Sequence, residues 1–439
     1  MLSRRSLSTL RWTRALLELP LVHPWGLLAA LLRSPSRLLD RMTAEHHRYL
    51  DRVTARVTQN PVLFPHGFFC DGWGDLNTPK RLREVLQSNR MREVNELTDA
   101  DVVWSPRRTL STARVCLQEA KFASTLPNAK EFLPASSLDA YFELVTPMEW
   151  HASTTTPTQP KTLVVLLPGT GEHGFLHRRA ALGIPLARRG IATLILEGPF
   201  YGRRRPHDQK GSKLRRVSDL PILGQATIEE AKSLLSYFQR EHGYTHLVVA
   251  GSSMGGLHAA MTASVYPGEV GATAWLAPPS AVPVFTDGLL AASCNWSSLY
   301  KLHELQLLDN MLQGHAITSS SPQEALFHDE DPVQQAKKRM RLFLSITDID
   351  NFHPPRRTDA VQFVVGTEDE YIGAMAPQWQ RLQDKWQSAQ FRYLKTGHVS
   401  GILLEREAFE NTIVEVVEQL QRGAVQQMEQ ESEQVQAVV

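Results

Sequence analysis

From residue 162 onward the chain alternates short, uninterrupted apolar runs with stretches of helical periodicity, and this constrains the fold more than any other feature. Thr162–Leu167 (TLVVLL) is apolar throughout and stops at Pro168-Gly169, the pattern of a strand buried on both faces. His177–Arg189 has helical spacing and ends before Gly190. Ile191–Leu196 is the next strand, Ile228–Arg240 the next helix, His246–Ala250 a strand, Met254–Val265 a helix and Ala272–Leu276 a strand. Val361–Val365 and Gln390–Leu394 resume the series later. Strand, helix, strand repeated this way predicts an α/β fold, a mostly parallel sheet with helices on both faces. Functional side chains in such sheets gather at the carboxyl ends of the strands.

The regular part falls into two core pieces, 141–278 and 360–422. Between them, 279–359 carries helical patterns (Leu299–Leu312 and Pro332–Leu344) and no clear strand, as a helical cap over the rim would. Residues 41–140 mix helical stretches, Arg41–Val57 and Lys80–Glu96, with turn-rich pieces such as FFCDGWGDLNTP. They read as an extension packed on the core, without chemistry of its own. The Gln- and Glu-rich tail 423–439 is expected to be disordered.

With 42% apolar and 21% charged residues, the 439-residue chain is neither fibrous nor disordered throughout. Its formal net charge of +1 gives no field to hold nucleic acid. Cys70, Cys116 and Cys294 are too scattered for a disulfide framework or a CxxC metal clip, and nothing implies a metal or cofactor. The opening MLSRRSLSTLRWTRALLE carries Arg4, Arg5, Arg11 and Arg14 with no acid before Glu18, the composition of a mitochondrial transit segment. Glu18, Pro20, His23 and Pro24 interrupt the apolar stretch Ala15–Leu32, which argues against a membrane span and against the alternative of a secretory signal. Residues 1–40 are therefore read as a targeting segment that also allows peripheral contact with a bilayer. A reporter fused behind residues 1–40 is expected to enter mitochondria; a cytosolic reporter contradicts this.

Chemistry enters at Gly251-Ser252-Ser253-Met254-Gly255, a G-x-S-x-G directly after an apolar strand and before a helix. A sharp turn there leaves no room for side chains beside Ser253, so glycines flank it and its hydroxyl projects at the amino end of the helix. A serine nucleophile needs a base, and the base needs a carboxylate to fix its tautomer. Past the strand Val361–Val365 stands Gly366-Thr367-Glu368-Asp369, and past Phe391–Leu394 stands Lys395-Thr396-Gly397-His398. Ser253, Asp369 and His398 thus occur in the order of a strand-end triad. Asp369, three after Gly366, is preferred over the competing acids Glu368 and Glu370. His258, inside the following helix, reads as a packed residue.

An attacked carbonyl becomes an oxyanion and needs preorganised N–H donors. Met254, after the nucleophile, supplies one; the turn Pro168-Gly169-Thr170-Gly171-Glu172-His173 supplies the other, with Thr170 the candidate. Gly169, Gly171 and His173 of this turn are candidate substrate contacts. So are Tyr201 and Arg204 of the next rim loop, where Arg203, Arg204 and Arg205 could hold a phosphate; a solvated basic loop is the alternative.

At these residues the chain resembles the α/β-hydrolase superfamily, and more closely the α/β-hydrolase domain-containing protein 18 family. The likeness is carried by LPGTGEHGFLHRR, LILEGPFYGRRRPHDQ with RRVSDL, GSSMGGLHAA, GTEDEYI and FRYLKTGHVSG, in that order. It implies an α/β-hydrolase fold with Ser253, Asp369 and His398 as triad, and a mitochondrial lipid hydrolase with phospholipid acyl esters, cardiolipin included, as candidate substrates. An acyltransferase, or a catalytically silent fold that binds lipid or protein, are the alternatives.

Overall fold

The computed structural model describes residues 42–60, 64, 66–88, 90–151, 160–300, 331–373 and 376–438, with 376 and 424–438 described by backbone alone. The segment 1–40 with its targeting and membrane expectations, and residues 301–312 of the expected cap helix, lie outside these. No described helix is long and apolar enough to cross a membrane.

The strands are β1 (Val103–Trp104), β2 (Arg108–Leu110), β3 (Val115–Ala123), β4 (Asp139–Pro147), β5 (Lys161–Leu167), β6 (Ala192–Leu196), β7 (Tyr244–Ser252), β8 (Gly271–Trp275), β9 (Val361–Gly366) and β10 (Gln390–Leu394). They form one sheet in the order β1-β3-β4-β6-β5-β7-β8-β9-β10, with β2 paired to β3. From β6 to β10 every neighbouring pair is parallel. β5 shows why its apolar run reads as it does. Successive side chains of a strand point to opposite faces. Leu163, Val165 and Leu167 pack with Leu234 and Phe238 on one side, while Val164 and Leu166 pack with Leu182, Leu186 and Val416 on the other.

Two expectations are corrected here. The extension 41–140, read as helical stretches and turn-rich pieces, holds β1, β2, β3 and the start of β4, which pair antiparallel, and the expected boundary at 140/141 falls inside β4. β3 lies near the sheet edge and keeps polar Gln118, Glu119 and Lys121 among its apolar residues, so it lacks the continuous apolar signal of a doubly covered strand. The tail expected to be disordered carries helical backbone instead, because the helix Arg406–Val438 runs through it. Gln and Glu are good helix formers.

The Met254–Val265 helix follows its pattern residue for residue, whereas the helix predicted over Ile228–Arg240 spans Asp219–His242, with Pro221 in its first turn and Gly243 at φ 67° closing it. The predicted helix His177–Arg189 is Leu176–Arg178, a π turn at Arg179–Gly183 and Ile184–Arg188. Pro185, which has no N–H to give, sits just beyond the π turn. In the segment expected as a cap, the helix Pro332–Leu344 buries Ala336, Met340, Phe343 and Leu344 in the cluster that contains Met254, Trp73 and Phe285. Through Met254, the second residue past β7, that cluster reaches the carboxyl end of the strand.

Candidate active site

The turn between β7 and the Met254–Val265 helix places Ser253 at φ 56° and ψ −126°, a strained conformation for a residue with a Cβ. Such strain costs about 1–3 kcal/mol and persists only where the surroundings enforce it. Here they do. A Cβ on Gly255 would come within 2.6 Å of the Leu167 carbonyl oxygen, and one on Gly251 would meet the Gly255 backbone. The Ser253 N–H is anchored on the Trp275 carbonyl at 2.9 Å, which aims the hydroxyl away from the sheet.

His398 Nε2 lies 3.0 Å from Ser253 Oγ, and its Nδ1 lies 2.6 Å from Asp369 Oδ2. Asp369 is itself fixed, because its Oδ1 accepts the N–H groups of Tyr371 at 2.9 Å and Ile372 at 3.1 Å. The Tyr371 ring stacks on the imidazole with centroids 4.9 Å apart. Burial disfavours the imidazolium, but the charge and hydrogen bond of Asp369, aided by Asp51, hold the His398 pKa above its ordinary value. The competing acids are committed elsewhere: Glu370 pairs with Arg52 and Glu368 with Arg48.

Two cavities meet at Ser253 and share Thr170 and Val284. One is walled mostly by apolar side chains, among them Leu82, Leu86, Met91, Leu257, Met261 and Phe352. The other is larger and adds Glu172, His177, Ser212 and Lys213. Met254 opens its helix, so its N–H has no carbonyl one turn back to bond. In the glycine turn the Gly169 N–H donates to Glu172 Oε2 at 3.0 Å. That leaves Thr170 as the turn residue beside Ser253 with its backbone unclaimed by Glu172. Burial opposes ionisation of Glu172, yet Arg178, His177 and the Gly169 N–H outweigh it and lower its pKa to about 2. The turn is therefore braced by a permanent carboxylate. Among the described residues no cluster of His, Cys, Asp and Glu is arranged to hold a metal ion.

Residues 66–419 match the family described as Alpha/beta hydrolase domain containing 18. The chain belongs to this family. The matched span holds the whole of the sheet and all three of Ser253, Asp369 and His398, but it leaves out the helix Ala44–Thr58. Among solved structures the chain is similar to the acetyl xylan esterase from Paenibacillus sp. R4, at 11% identity and TM-score 0.45, covering 79% of this chain and 96% of that one. It is also similar to acetyl xylan esterase 1 from Thermoanaerobacterium sp. JW/SL YS485, at 10% identity and TM-score 0.39 over 79% and 98%. A ferulic acid esterase matches at 12% identity and TM-score 0.41 over 70% and 98%.

Not every residue singled out in this family member's sequence reaches the site. Gly169 and Gly171 line the larger cavity, Gly171 at φ 75° against Ser212. His173 does not; its Nε2 is 2.9 Å from Ser212 Oγ, and its Nδ1 accepts the Gly202 N–H at 2.8 Å, so it staples two rim loops together. Tyr201 is fully buried beneath the rim. Arg204 is neither a phosphate clamp nor solvated. Its side chain is 0% exposed, paired with Glu230 at 2.6 and 2.7 Å and bonded to the carbonyls of Glu197 and Ser137. Removing one partner of such a pair strands a buried charge at a cost of about 3–5 kcal/mol, so Arg204 belongs to the scaffold. His258 lines the apolar cavity, and burial lowers its pKa to about 4, which keeps it neutral. Sequence reasoning missed Asp51, Glu172, Tyr371 and Lys213. Glu172 and Tyr371 stand inside the quoted motifs; Asp51 and Lys213 carry no local signal.

Proposed function

We propose that this chain is a serine hydrolase of acyl esters whose substrate is a lipid ester. One observation carries the reading: a continuous Asp369–His398–Ser253 relay opens onto an apolar cavity. His398 Nε2 takes the Ser253 proton as Oγ bonds to the ester carbonyl carbon, and the oxyanion that forms is met by the Met254 and Thr170 N–H groups. As the carbonyl re-forms, the ester C–O bond breaks and His398 returns the proton to the departing alcohol. Water then repeats the cycle on the acyl-enzyme and frees the acid. Ligand pockets are lined mainly by hydrophobic side chains, and the apolar cavity suits an acyl chain because its walls are mostly hydrocarbon. The alcohol portion takes the second cavity, where the buried Lys213 ammonium bonds the Thr58 carbonyl and lies over the Phe64 and Phe68 rings. Together with the family resemblance, that cation favours a phospholipid, cardiolipin included.

The test is direct. Full-length protein incubated with phosphatidylcholine or cardiolipin vesicles should release free fatty acid and lysolipid. Only neutral His398 can accept the proton. Its raised pKa therefore places the acid limb of kcat/KM above the pH of an ordinary histidine, and the rate falls as pH drops through that value. Vesicle binding with neither fatty acid release nor labelling by a fluorophosphonate would favour a silent binding module instead. Acyl transfer to an added alcohol in preference to water would point to a transferase.

A further inference from the structure

We infer that Asp51 is a positioning residue for the reaction proposed above, on which this inference rests: its carboxylate, entering from the helix Ala44–Thr58, sets the backbone that carries His398 and the backbone that follows Asp369. Asp51 is fully buried and accepts three backbone N–H groups. Oδ2 takes those of His398 at 2.9 Å and Glu370 at 3.1 Å, and Oδ1 takes that of Val399 at 2.8 Å. The catalytic histidine opens the short helix His398–Leu403, whose N-cap is Gly397, a residue with no side chain to satisfy the first N–H groups. Asp51, 347 residues earlier in the chain, supplies that cap.

The fit is close enough to dictate a neighbour. A Cβ on Gly397 would come within 2.9 Å of the His47 carbonyl and 3.0 Å of Asp51, so the N-terminal helix and the histidine loop touch only because glycine precedes His398. Three further contacts tie the same helix to the same loops: His47 to Ser400 at 2.7 Å, Arg48 to Glu368 and Arg52 to Glu370. Asp369 therefore stands between two acids anchored on one helix, and a single carboxylate bridges the two loops that must keep Asp369 and His398 in register. Without that bridge the imidazole can drift from Ser253, and a misplacement of about 1 Å can cost about a hundredfold in rate.

Asp51→Asn keeps the shape but turns one oxygen into an NH2 that confronts an N–H donor. For the folded variant, p-nitrophenyl ester hydrolysis should lose about a hundredfold in kcat while KM stays within about twofold, since no substrate contact is removed. The acid limb should also move to lower pH. The groups facing His398 are Ser253 from the turn after β7, Asp369 and Tyr371 from the loop after β9, and Asp51 from the N-terminal helix, with Arg48, Arg52, Glu368, Glu370 and His47 around them. The variant deletes one of the two negative charges that favour the imidazolium. A purely structural role would leave that limb in place. Gly397→Ala is the second variant: it keeps Asp51 but pushes the helix off the loop, and it should lose kcat in the same way. Folded Asp51→Asn with wild-type kcat and an unmoved acid limb overturns the inference, and so does Gly397→Ala with wild-type kcat should Asp51→Asn fail to fold. Fluorophosphonate labelling of wild-type Ser253 runs alongside. No labelling there defeats the hydrolase reading and this inference together, whereas normal labelling with indifferent variants defeats this inference alone.

Discussion

Replacing Ser253 with alanine is expected to lower turnover by about four to six orders of magnitude while the fold persists. In the proposed reaction the hydroxyl oxygen bonds to the acyl carbon, so its loss removes the covalent path and leaves only the binding and oxyanion contributions of the cavity. Stability should change little. Alanine carries the same Cβ into the φ 56° conformation, so the backbone strain is neither relieved nor increased. The single interaction lost is the hydroxyl's bond to His398 Nε2, about 1 kcal/mol for a typical hydrogen bond. Intact-mass analysis after fluorophosphonate treatment, fatty acid release and a thermal melt read the three quantities separately. Should label still attach, on neighbouring Ser252 or elsewhere, and turnover survive, Ser253 is not the nucleophile. Should the melt collapse, the lost activity says nothing about chemistry.

How much of this was readable beforehand depends on where each residue's partners lie. β5, β7 and β8 are covered on both faces, so their apolar character is continuous and survives in the sequence as plain runs. Ser253 and Asp369 follow from that, because β7 and β9 end just before them, whereas His398 follows β10, a half-exposed edge strand that is legible only as the next element of the series. Where burial is one-sided, or is made by distant partners, the local pattern misleads. Gln118, Glu119 and Lys121 of β3 resemble helix formers because that strand lies near a sheet edge. Arg204 stands in a run of three arginines that reads as solvated, and only Glu230, on a helix that starts beyond the loop, makes it a buried residue. Asp51 is the extreme case: an acid in an amphipathic helix looks like part of its wet face until the histidine loop is laid against it. Gly397 was the one local trace of that contact.

Asp369→Asn is expected to cost about 10⁴-fold in kcat, the drop typical of removing the acid from such a relay. The reason lies in how the carboxylate is already occupied. Oδ1 takes the Tyr371 and Ile372 N–H groups, so an amide in this place must turn its carbonyl oxygen toward them and its NH2 toward His398 Nδ1. An NH2 there requires Nδ1 to be the bare nitrogen. The proton is then driven onto Nε2, which points at Ser253 Oγ and can no longer accept from it. The variant also removes the largest favourable contribution to the imidazolium, so the His398 pKa falls and whatever activity remains should persist to lower pH than in the wild type. The contrast with Asp51 follows from the donors each one meets. Asp51 bonds only backbone N–H groups and cannot alter the tautomer, so its replacement should misplace a working base, whereas replacing Asp369 leaves the base in position with its proton on the wrong nitrogen. A kcat for Asp369→Asn within about tenfold of wild type would mean that another group orients His398, and the acid assignment would have to be withdrawn.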